Sequence, residues 1–303
     1  MKVLYYILSI CIISLVACNK DRISTVNSPN FEVAANKLSV KAGDTIRFNF
    51  SGNTDFITFY SGETGHKYTN ISRTIIDNGK PTLQFFTYAS TVGTQANSLK
   101  ILASTDFTGV YDTLNASIKN ATWIDLTSRA VLSTGTDNTS SGVIDISDIN
   151  PSKKTLYFAF KKHDDNSASL KPYAWTIRSF AVNLFSPADS TTYSIASLAN
   201  AGWYATDILN PTYKWSITGS VLTIGGGSIN TAENDDWVIT SPLNIYSVPP
   251  DVGVAIKSID ARLSAYTYVF KTSGTYRMTF VASNQNINEK KQVIKEMTVI
   301  VAK

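Results

Sequence analysis

The sequence has few of the residues on which catalytic and metal sites are usually built. Two cysteines and two histidines occur among its 303 residues, and 17% of the residues are charged. A His-Glu-x-x-His pair and a Gly-x-Ser-x-Gly turn are both absent, so the usual signatures of zinc hydrolases and of serine hydrolases are missing. We therefore predict a protein that is not an enzyme and that requires no cofactor.

Positive charge is not concentrated either. The formal net charge is +4, and basic residues follow one another at most in pairs, such as Lys153-Lys154 and Lys161-Lys162. Proteins that bind nucleic acids usually carry a basic stripe or patch on one face. We therefore expect no nucleic-acid partner.

The N-terminal apolar run is too short to span a bilayer. It extends from Val3 to Val16, whereas a spanning helix needs about 20 residues. The run ends in Leu15-Val16-Ala17-Cys18, which resembles the lipobox of bacterial lipoproteins, where the cysteine is acylated and becomes the first mature residue. We predict a lipoprotein signal peptide at residues 1–17 and a membrane anchor on Cys18. An ordinary signal peptide with an incidental cysteine is the alternative.

Residues 18–30 are predicted to form a polar tether. Lys20-Asp21, just behind Cys18, resembles the surface-export signal of Bacteroidetes lipoproteins, although position 22 lacks a second acid. This resemblance implies a lipid-anchored protein of the outer membrane that faces outward.

Apolar and polar residues alternate along much of the remaining chain. Ile46, Phe48 and Phe50 alternate with polar neighbours, and the segment from Tyr276 to Ala282 repeats the pattern. This period of two is typical of half-buried antiparallel strands. We predict an all-β fold, in which only the segment from Ser194 to Gly202 has the character of a short helix.

The two ends of the chain complete one pattern. Leu38 to Phe48 resembles the opening strands of a PKD or immunoglobulin-like domain, but similar closing strands appear only from Tyr266 to Phe280. Residues 31–69 plus 256–303 together match the size of one such sandwich, of about 100 residues. We predict a discontinuous PKD/Ig-like β-sandwich, interrupted by a domain at 70–255. Two or three consecutive sandwiches are the alternative.

The inserted region has its own resemblance. The segment from Asn234 to Leu243 has an acidic turn, a strand that begins with Trp237, and Ser-Pro-Leu. It resembles jelly-roll modules of the galactose-binding and cleaved-adhesin type, which implies an inserted jelly-roll β-sandwich.

A further resemblance covers nearly the whole mature chain. It rests on four segments: Phe59 to Tyr68, Trp123 to Thr127, Ser141 to Asp145 and Tyr157 to Phe160. Together they resemble a Bacteroidetes surface lipoprotein family of unknown function, whose members are often associated with Sus-type glycan uptake loci. The resemblance implies a polysaccharide or oligosaccharide ligand and Sus-type transporter components as partners.

Sugar sites commonly combine an aromatic face with a few polar side chains. Trp203, Tyr204 and Asp207 follow a glycine outside any clear strand pattern, so we predict that they form an exposed ligand-binding platform. The tryptophans that lie inside strand patterns are predicted to belong to the core: Trp175, Trp215 and Trp237.

Acidic residues in the inserted region are predicted to form solvated turns. The alternative is a structural Ca²⁺ site, because carboxylate and backbone oxygens suit this cation. Its candidate ligands are Asp145, Asp148, Asp164 and Asp165.

Three short segments resemble the Asp-Ser/Thr-apolar sequence that Bacteroidetes O-glycosylate on exported proteins. The candidate acceptors are Thr45, Thr113 and Ser190. For Thr45 the alternative is a structural role within its strand.

The functional hypothesis is a non-catalytic, glycan-binding surface lipoprotein that works beside a polysaccharide uptake system. An adhesin or structural lipoprotein that binds protein is the second hypothesis. A glycan-active enzyme is the third.

Overall fold

A computed structural model describes residues 25–113 and 115–303 of the chain. Strands account for 46% of the residues and helices for 4%, and the sheets pack as sandwiches, so the all-β prediction is confirmed. The signal peptide, the anchor Cys18 and the Lys20-Asp21 step lie outside the described residues. Within the described ranges, no helix is both long enough and apolar enough to cross a membrane.

The described residues form one short α-helix, two 3-10 turns and twenty β-strands. In chain order they are β1 (Asn30–Ala35), β2 (Ser39–Lys41), β3 (Thr45–Asn53), β4 (Phe56–Tyr60), β5 (Lys80–Ala89), β6 (Leu99–Ser104), β7 (Ile124–Asp125), β8 (Thr139–Ser140), β9 (Ile144–Asp145), β10 (Tyr157–Asp164), β11 (Trp175–Ser186), β12 (Thr191–Ser197), β13 (Tyr204–Leu209), β14 (Ser216–Ile217), β15 (Leu222–Ile224), β16 (Asn234–Ile239), β17 (Val254–Lys257), β18 (Ala265–Val269), β19 (Gly274–Gln285) and β20 (Lys290–Ala302). The short helix α1 spans Ala116–Asn120, and 3-10 turns span Tyr68–Asn70 and Thr127–Arg129.

The chain divides into two compact units. The first runs up to Ser72 and resumes over Pro250–Lys303, and the second is Arg73–Pro249. The sequence places the two boundaries between residues 69 and 70 and between residues 255 and 256.

The first unit consists of two sheets. Their strand orders are β1-β3-β18 and β17-β4-β19-β20-β2, with antiparallel neighbours except for the parallel pair β2 and β20. Ile46 and Phe48 of β3 are buried, as their alternation predicts. The ring of Phe48 lies 6.0 Å from Phe59 of β4 and 5.0 Å from Phe280 of β19. Residues from both chain segments therefore build one aromatic core.

The second unit also consists of two sheets. One has the order β13-β16-β10-β6-β7; the other has the order β14-β15-β11-β5-β8, with β12 also paired to β11 and β9 to β5. Phe85 of β5 and Phe160 of β10 meet edge to face, with ring centroids 5.2 Å apart. Because these residues come from different sheets, the main core lies between the sheets.

A smaller core covers the other face of the five-stranded sheet. Trp237 and Tyr157 of that sheet pack with Phe107 and with Ile118 of α1, both from the connection between β6 and β7. Burial on both faces explains why β10 and β16 contain continuous apolar runs instead of an alternating pattern.

The predicted helix at Ser194–Gly202 is wrong. Its first part belongs to β12, which pairs with β11 and buries Ala196. A single turn follows, in which the amide of Ala201 donates to the carbonyl of Ser197 at 2.9 Å. Pairing with a neighbouring strand outweighs the weak helical preference of so short a segment.

Candidate functional site

The predicted platform at Trp203, Tyr204 and Asp207 is not one surface. Trp203 packs on Phe160 and Phe180, with ring centroids 5.8 and 4.9 Å away, and its Nε1 donates to the carbonyl of Leu198. It is therefore half-buried and packs against the main core of the second unit, whereas the sequence predicts an exposed platform.

Tyr204 and Asp207 point to opposite faces of β13. Tyr204 is 47% exposed and stacks on Tyr111 at 3.8 Å. Asp207 lies opposite the buried Asp236 and forms an ion pair with Lys214 at 3.0 Å. The two side chains therefore cannot bind the same sugar ring.

The four candidate calcium ligands occupy separate environments. Asp145 accepts the amide of Ser147, and Asp148 accepts two bonds from Arg129 at 2.8 and 2.7 Å. Those bonds from Arg129 lower the pKa of Asp148.

Asp164 is buried beside Lys162, whereas Asp165 is exposed and lies 3.3 Å from Nε2 of His163. Among the described residues, no group of three or more His, Cys, Asp or Glu side chains is arranged to hold a metal ion. The structure thus does not gather the four aspartates into one site.

The three candidate glycosylation acceptors are all exposed. Thr45 begins β3 opposite Val269, Thr113 lies in the loop before α1, and Ser190 lies in the turn between β11 and β12 with φ of 51°. Exposure is what an acceptor requires, and the modification itself stays a prediction.

A groove of about 790 Å³ opens in the second unit, where β6 and β11 begin. Strand β6 belongs to one sheet and β11 to the other, so the groove lies at the end of the main core. Its volume is within the range of small-molecule sites, which is about 300–1,000 Å³. We define the groove by its lining: Ala96, Asn97, Leu99, Lys100, Asp125, Thr127, Ser128, Ala130, Leu132, Ser133, Thr134, Tyr173 and Trp175.

Aromatic and aliphatic side chains form the floor of the groove. Trp175 is 5% exposed, and its Nε1 donates to Oγ of Ser98 at 3.0 Å. Tyr173, two residues earlier, is half-buried, with its ring 5.8 Å from that of Trp175. Leu99 and Leu132 complete the apolar surface.

Gly93 holds Tyr173 in place. A Cβ at position 93 would overlap both the ring and the Cα of Tyr173, so the loop between β5 and β6 approaches this closely only because residue 93 has no side chain. Close packing against the backbone of Gly93 therefore restricts the ring of Tyr173 in the absence of a ligand.

Polar side chains form the rim. Those of Asn97, Ser128 and Thr134 make no hydrogen bond within the described structure and are exposed, so they are available to a ligand. The segment that carries Ser128 is tied to β6 because the amide of Ile101 donates to Oγ1 of Thr127.

Two residues that line the groove, Lys100 and Asp125, form an ion pair at its rim. Nζ of Lys100 lies 3.1 Å from Oδ2 of Asp125, and Oδ1 of Asp125 accepts the amide of Thr127 at 2.9 Å. Burial would raise the pKa of Asp125, but the bonds from Thr127 and Lys100 outweigh it and lower the pKa. Asp125 is therefore ionised at neutral pH.

The sequence predicted that Trp175 is buried, but not that it forms the floor of a groove. The only local signal was the spacing of Tyr173 and Trp175, since residues two apart in a strand share one face. The rest of the groove comes from strands β6 and β7 and from loops at residues 96–97 and 127–134, all distant in sequence from Trp175.

A second polar feature of this unit is closed to solvent. Lys162 and Asp164 form a buried ion pair on β10, and Asp236 of β16 lies opposite Lys162. Burial lowers the pKa of Lys162 and raises that of Asp164, while their mutual contact opposes both shifts. Burial also raises the pKa of Asp236 to about 8. This cluster has no access for a ligand, so we assign it to the core.

Comparison with known proteins identifies one family. The model of a family described as domain of unknown function (DUF5017) matches residues 17–203. The match covers 187 of 303 residues, counted from 17 to 203, and includes every residue that lines the groove. No curated protein sequence matches the chain.

Proposed function

We propose that this chain, which belongs to the DUF5017 family, is a non-catalytic protein that binds a glycan in the groove of its second unit. The observation that carries the proposal is the combination of the half-buried ring of Tyr173, supported from below by the buried Trp175, with a rim of unbonded polar side chains. An aromatic ring packs against the apolar face of a sugar, and amide and hydroxyl groups bond its hydroxyls.

The pre-formed floor favours binding. Tyr173 is held by Gly93, and Trp175 by its bond to Ser98, so neither ring has to be ordered when a ligand binds. Side chains fixed in advance reduce the entropic cost of association. The groove lining contains neither histidine nor cysteine, so the common general base and the common thiol nucleophile are missing from it.

The cellular setting is proposed from the sequence. We propose that the signal peptide is removed before Cys18, that lipid on Cys18 anchors the protein in the outer membrane, and that the mature chain faces outward. In this proposal the protein supplies glycan to a Sus-type uptake system of a Bacteroidetes bacterium. The supports are the lipobox at Leu15-Val16-Ala17-Cys18 and the Lys20-Asp21 step.

We also propose finer fold assignments. The first unit has three-stranded and five-stranded sheets of mainly antiparallel strands, which fits a PKD/Ig-like sandwich. The second unit, Arg73–Pro249, fits a jelly-roll-type sandwich with its ligand groove at one end.

The test is retention of residues 19–303 in affinity gels that contain soluble polysaccharides, together with a glycan array. Thr134→Trp should fill the mouth of the groove without removing a core contact, because Thr134 is exposed on the rim. Thr212→Trp is the matched control, since Thr212 is exposed in the same unit but does not line the groove.

We expect retention of the wild-type chain and of Thr212→Trp, and loss of retention for Thr134→Trp. Failure of the wild-type chain to bind any glycan, with capture of a defined protein partner instead, would support the adhesin hypothesis and overturn the proposal. Release of reducing sugar, abolished by Asp→Asn changes, would instead identify a glycan-active enzyme.

A further inference from the structure

We infer that the groove selects uncharged glycans and that Asp125 is the residue that determines this specificity. This inference rests on the proposed function, since it names the ligand class of the same groove. The underlying observation is the ion pair between Lys100 and Asp125, which supplies all the formal charge of the groove lining.

Asp125 is positioned to neutralise Lys100. The two residues lie on adjacent strands, β6 and β7, and their side chains are 49% and 45% exposed. The carboxylate is also oriented by the amide of Thr127, so it does not depend on Lys100 for its position. Lys100 therefore faces the groove with its charge already compensated.

Two arginines that are close in sequence to lining residues are compensated in the same way. Arg129, next to Ser128, donates two bonds to Asp148. Arg178 donates from Nε and Nη2 to the two oxygens of Asp137, each at 2.9 Å. Lys171 lies near Tyr173 in sequence but does not line the groove.

An acidic sugar finds no attractive partner in such a groove. Its carboxylate would approach the ammonium of Lys100 with the ionised Asp125 only 3.1 Å from that group, and the repulsion from Asp125 would offset much of the attraction. A neutral sugar has no such conflict, because Asn97, Ser128 and Thr134 bond hydroxyls irrespective of charge. The compensation of Lys100 by Asp125 therefore makes the groove selective for uncharged sugars.

The test measures binding of residues 19–303 to two sets of polymers by affinity electrophoresis and calorimetry. Starch, dextran and laminarin are the neutral set; polygalacturonate and alginate are the acidic set. Asp125→Asn removes the negative charge, while the amide oxygen can still accept from Thr127, so Lys100 becomes uncompensated.

The matched control is Asp44→Asn in the first unit. Asp44 also pairs with an exposed lysine, Lys37 at 3.5 Å, and also accepts a backbone amide, that of Lys41 at 3.0 Å. The substitution therefore makes the same change in charge and in local bonding, but outside the groove.

We expect the wild-type chain to bind a neutral polymer and to bind the acidic polymers at least tenfold more weakly. Asp125→Asn should gain roughly tenfold in affinity for polygalacturonate at low ionic strength and lose that gain in 0.5 M salt, since exposed charges are screened there. Adding Lys100→Gln should remove the gain, and Asp44→Asn should show none.

The outcomes separate the inference from the proposed function. Wild-type binding to acidic polymers as tight as to neutral ones, abolished by Thr134→Trp, would overturn the inference and leave the glycan-binding function standing. An Asp125→Asn variant without any gain would overturn the inference as well. Absence of wild-type binding to both sets and to the glycan array would overturn the proposed function itself.

Discussion

Lys162 on β10 lies directly opposite Asp236 on β16, and neither side chain is exposed to solvent. Lys162 also pairs with the buried Asp164, so the interior of the sandwich contains one ammonium group and two carboxyl groups. Desolvation makes ionisation of both carboxyl groups costly. This desolvation raises the pKa of Asp236 to about 8, so the side chain of Asp236 is neutral in the folded protein below that pH.

The stability of the second unit should therefore fall as the pH rises from about 4 to about 8. In this range Asp236 is ionised in the unfolded chain, where its pKa is near 3.8, but protonated in the folded one, so each added pH unit favours unfolding. The contribution of this group is at most about 1.4 kcal/mol per pH unit and ends above pH 8.

Asp236→Asn should remove this contribution, because an amide does not titrate. Urea unfolding of the wild-type chain and the variant at pH 5, 6, 7 and 8 gives the difference in unfolding free energy, from which the contributions of titratable groups outside this buried cluster cancel. A difference that moves steadily in favour of the variant is expected. A difference that is constant with pH would show that Asp236 is ionised in the folded protein at all these pH values.

Trp203→Ala should destabilise the protein by about 3 kcal/mol, at the low end of the range for a large aromatic side chain, because Trp203 is half-buried. The reason is the packing of Trp203 on Phe160 and Phe180. Tyr204→Ala, the neighbouring control, should cost about 0.5–1.5 kcal/mol, since Tyr204 is exposed and loses one aromatic stack. Thermal and urea unfolding measure both. If Trp203→Ala kept its stability but lost glycan binding, Trp203 would be a ligand platform after all.

Gly93→Ala should weaken glycan binding roughly tenfold, which corresponds to about 1.4 kcal/mol. The new Cβ would overlap Tyr173 and displace its ring from the floor of the groove. Gly219→Ala is the control, because a Cβ there meets nothing within 4 Å. Calorimetry with the polymer that the wild-type chain binds measures the affinity, and circular dichroism checks the fold. Unchanged affinity for Gly93→Ala would mean that Tyr173 does not contact the ligand.

Cys18→Ser should release the protein from the membrane, because serine is not acylated. Two acyl chains give stable anchoring, whereas a single chain binds only marginally. Detergent phase partitioning of cells that express each form measures the anchoring. Cys11→Ser should leave the protein in the detergent phase, since Cys11 lies within the predicted signal peptide. Detergent partitioning of Cys18→Ser equal to that of the wild-type chain would contradict lipidation at Cys18.

The fold class could be predicted from the sequence because its signal is local. In β3 the alternation of Ile46 and Phe48 with polar residues is visible within a few positions, and the structure buries both residues. Strand β10 has no such alternation, but Phe158, Phe160 and Lys162 lie two residues apart and so share the inward face. Charge alone would place Lys162 at the surface, and here the position in the strand outweighs the charge.

The candidate site could not be predicted, because its parts are distant in sequence. Trp203 has no strand pattern on its N-terminal side, and its burial depends on Phe160 and Phe180, which lie on other strands. The groove forms only where loops around Asn97 and Ser128 meet the start of β11. Patterns in a single sequence carry no information on contacts between distant loops and strands, so the sequence predicts only a core role for Trp175.

The interrupted core of the first unit imposes an order on biosynthesis. Phe48 and Phe59 leave the ribosome before the second unit, whereas their partner Phe280 follows it. The intervening segment has 177 residues, counted from 73 to 249, and at about 5–20 residues per second its synthesis takes roughly 10–35 s. During that time β3 lacks its neighbour β18 and β4 lacks its neighbours β17 and β19, so a prematurely terminated chain carries unpaired strand edges and exposed phenylalanines. Such a chain is a ready substrate for proteases and chaperones, and only full-length molecules close the first unit.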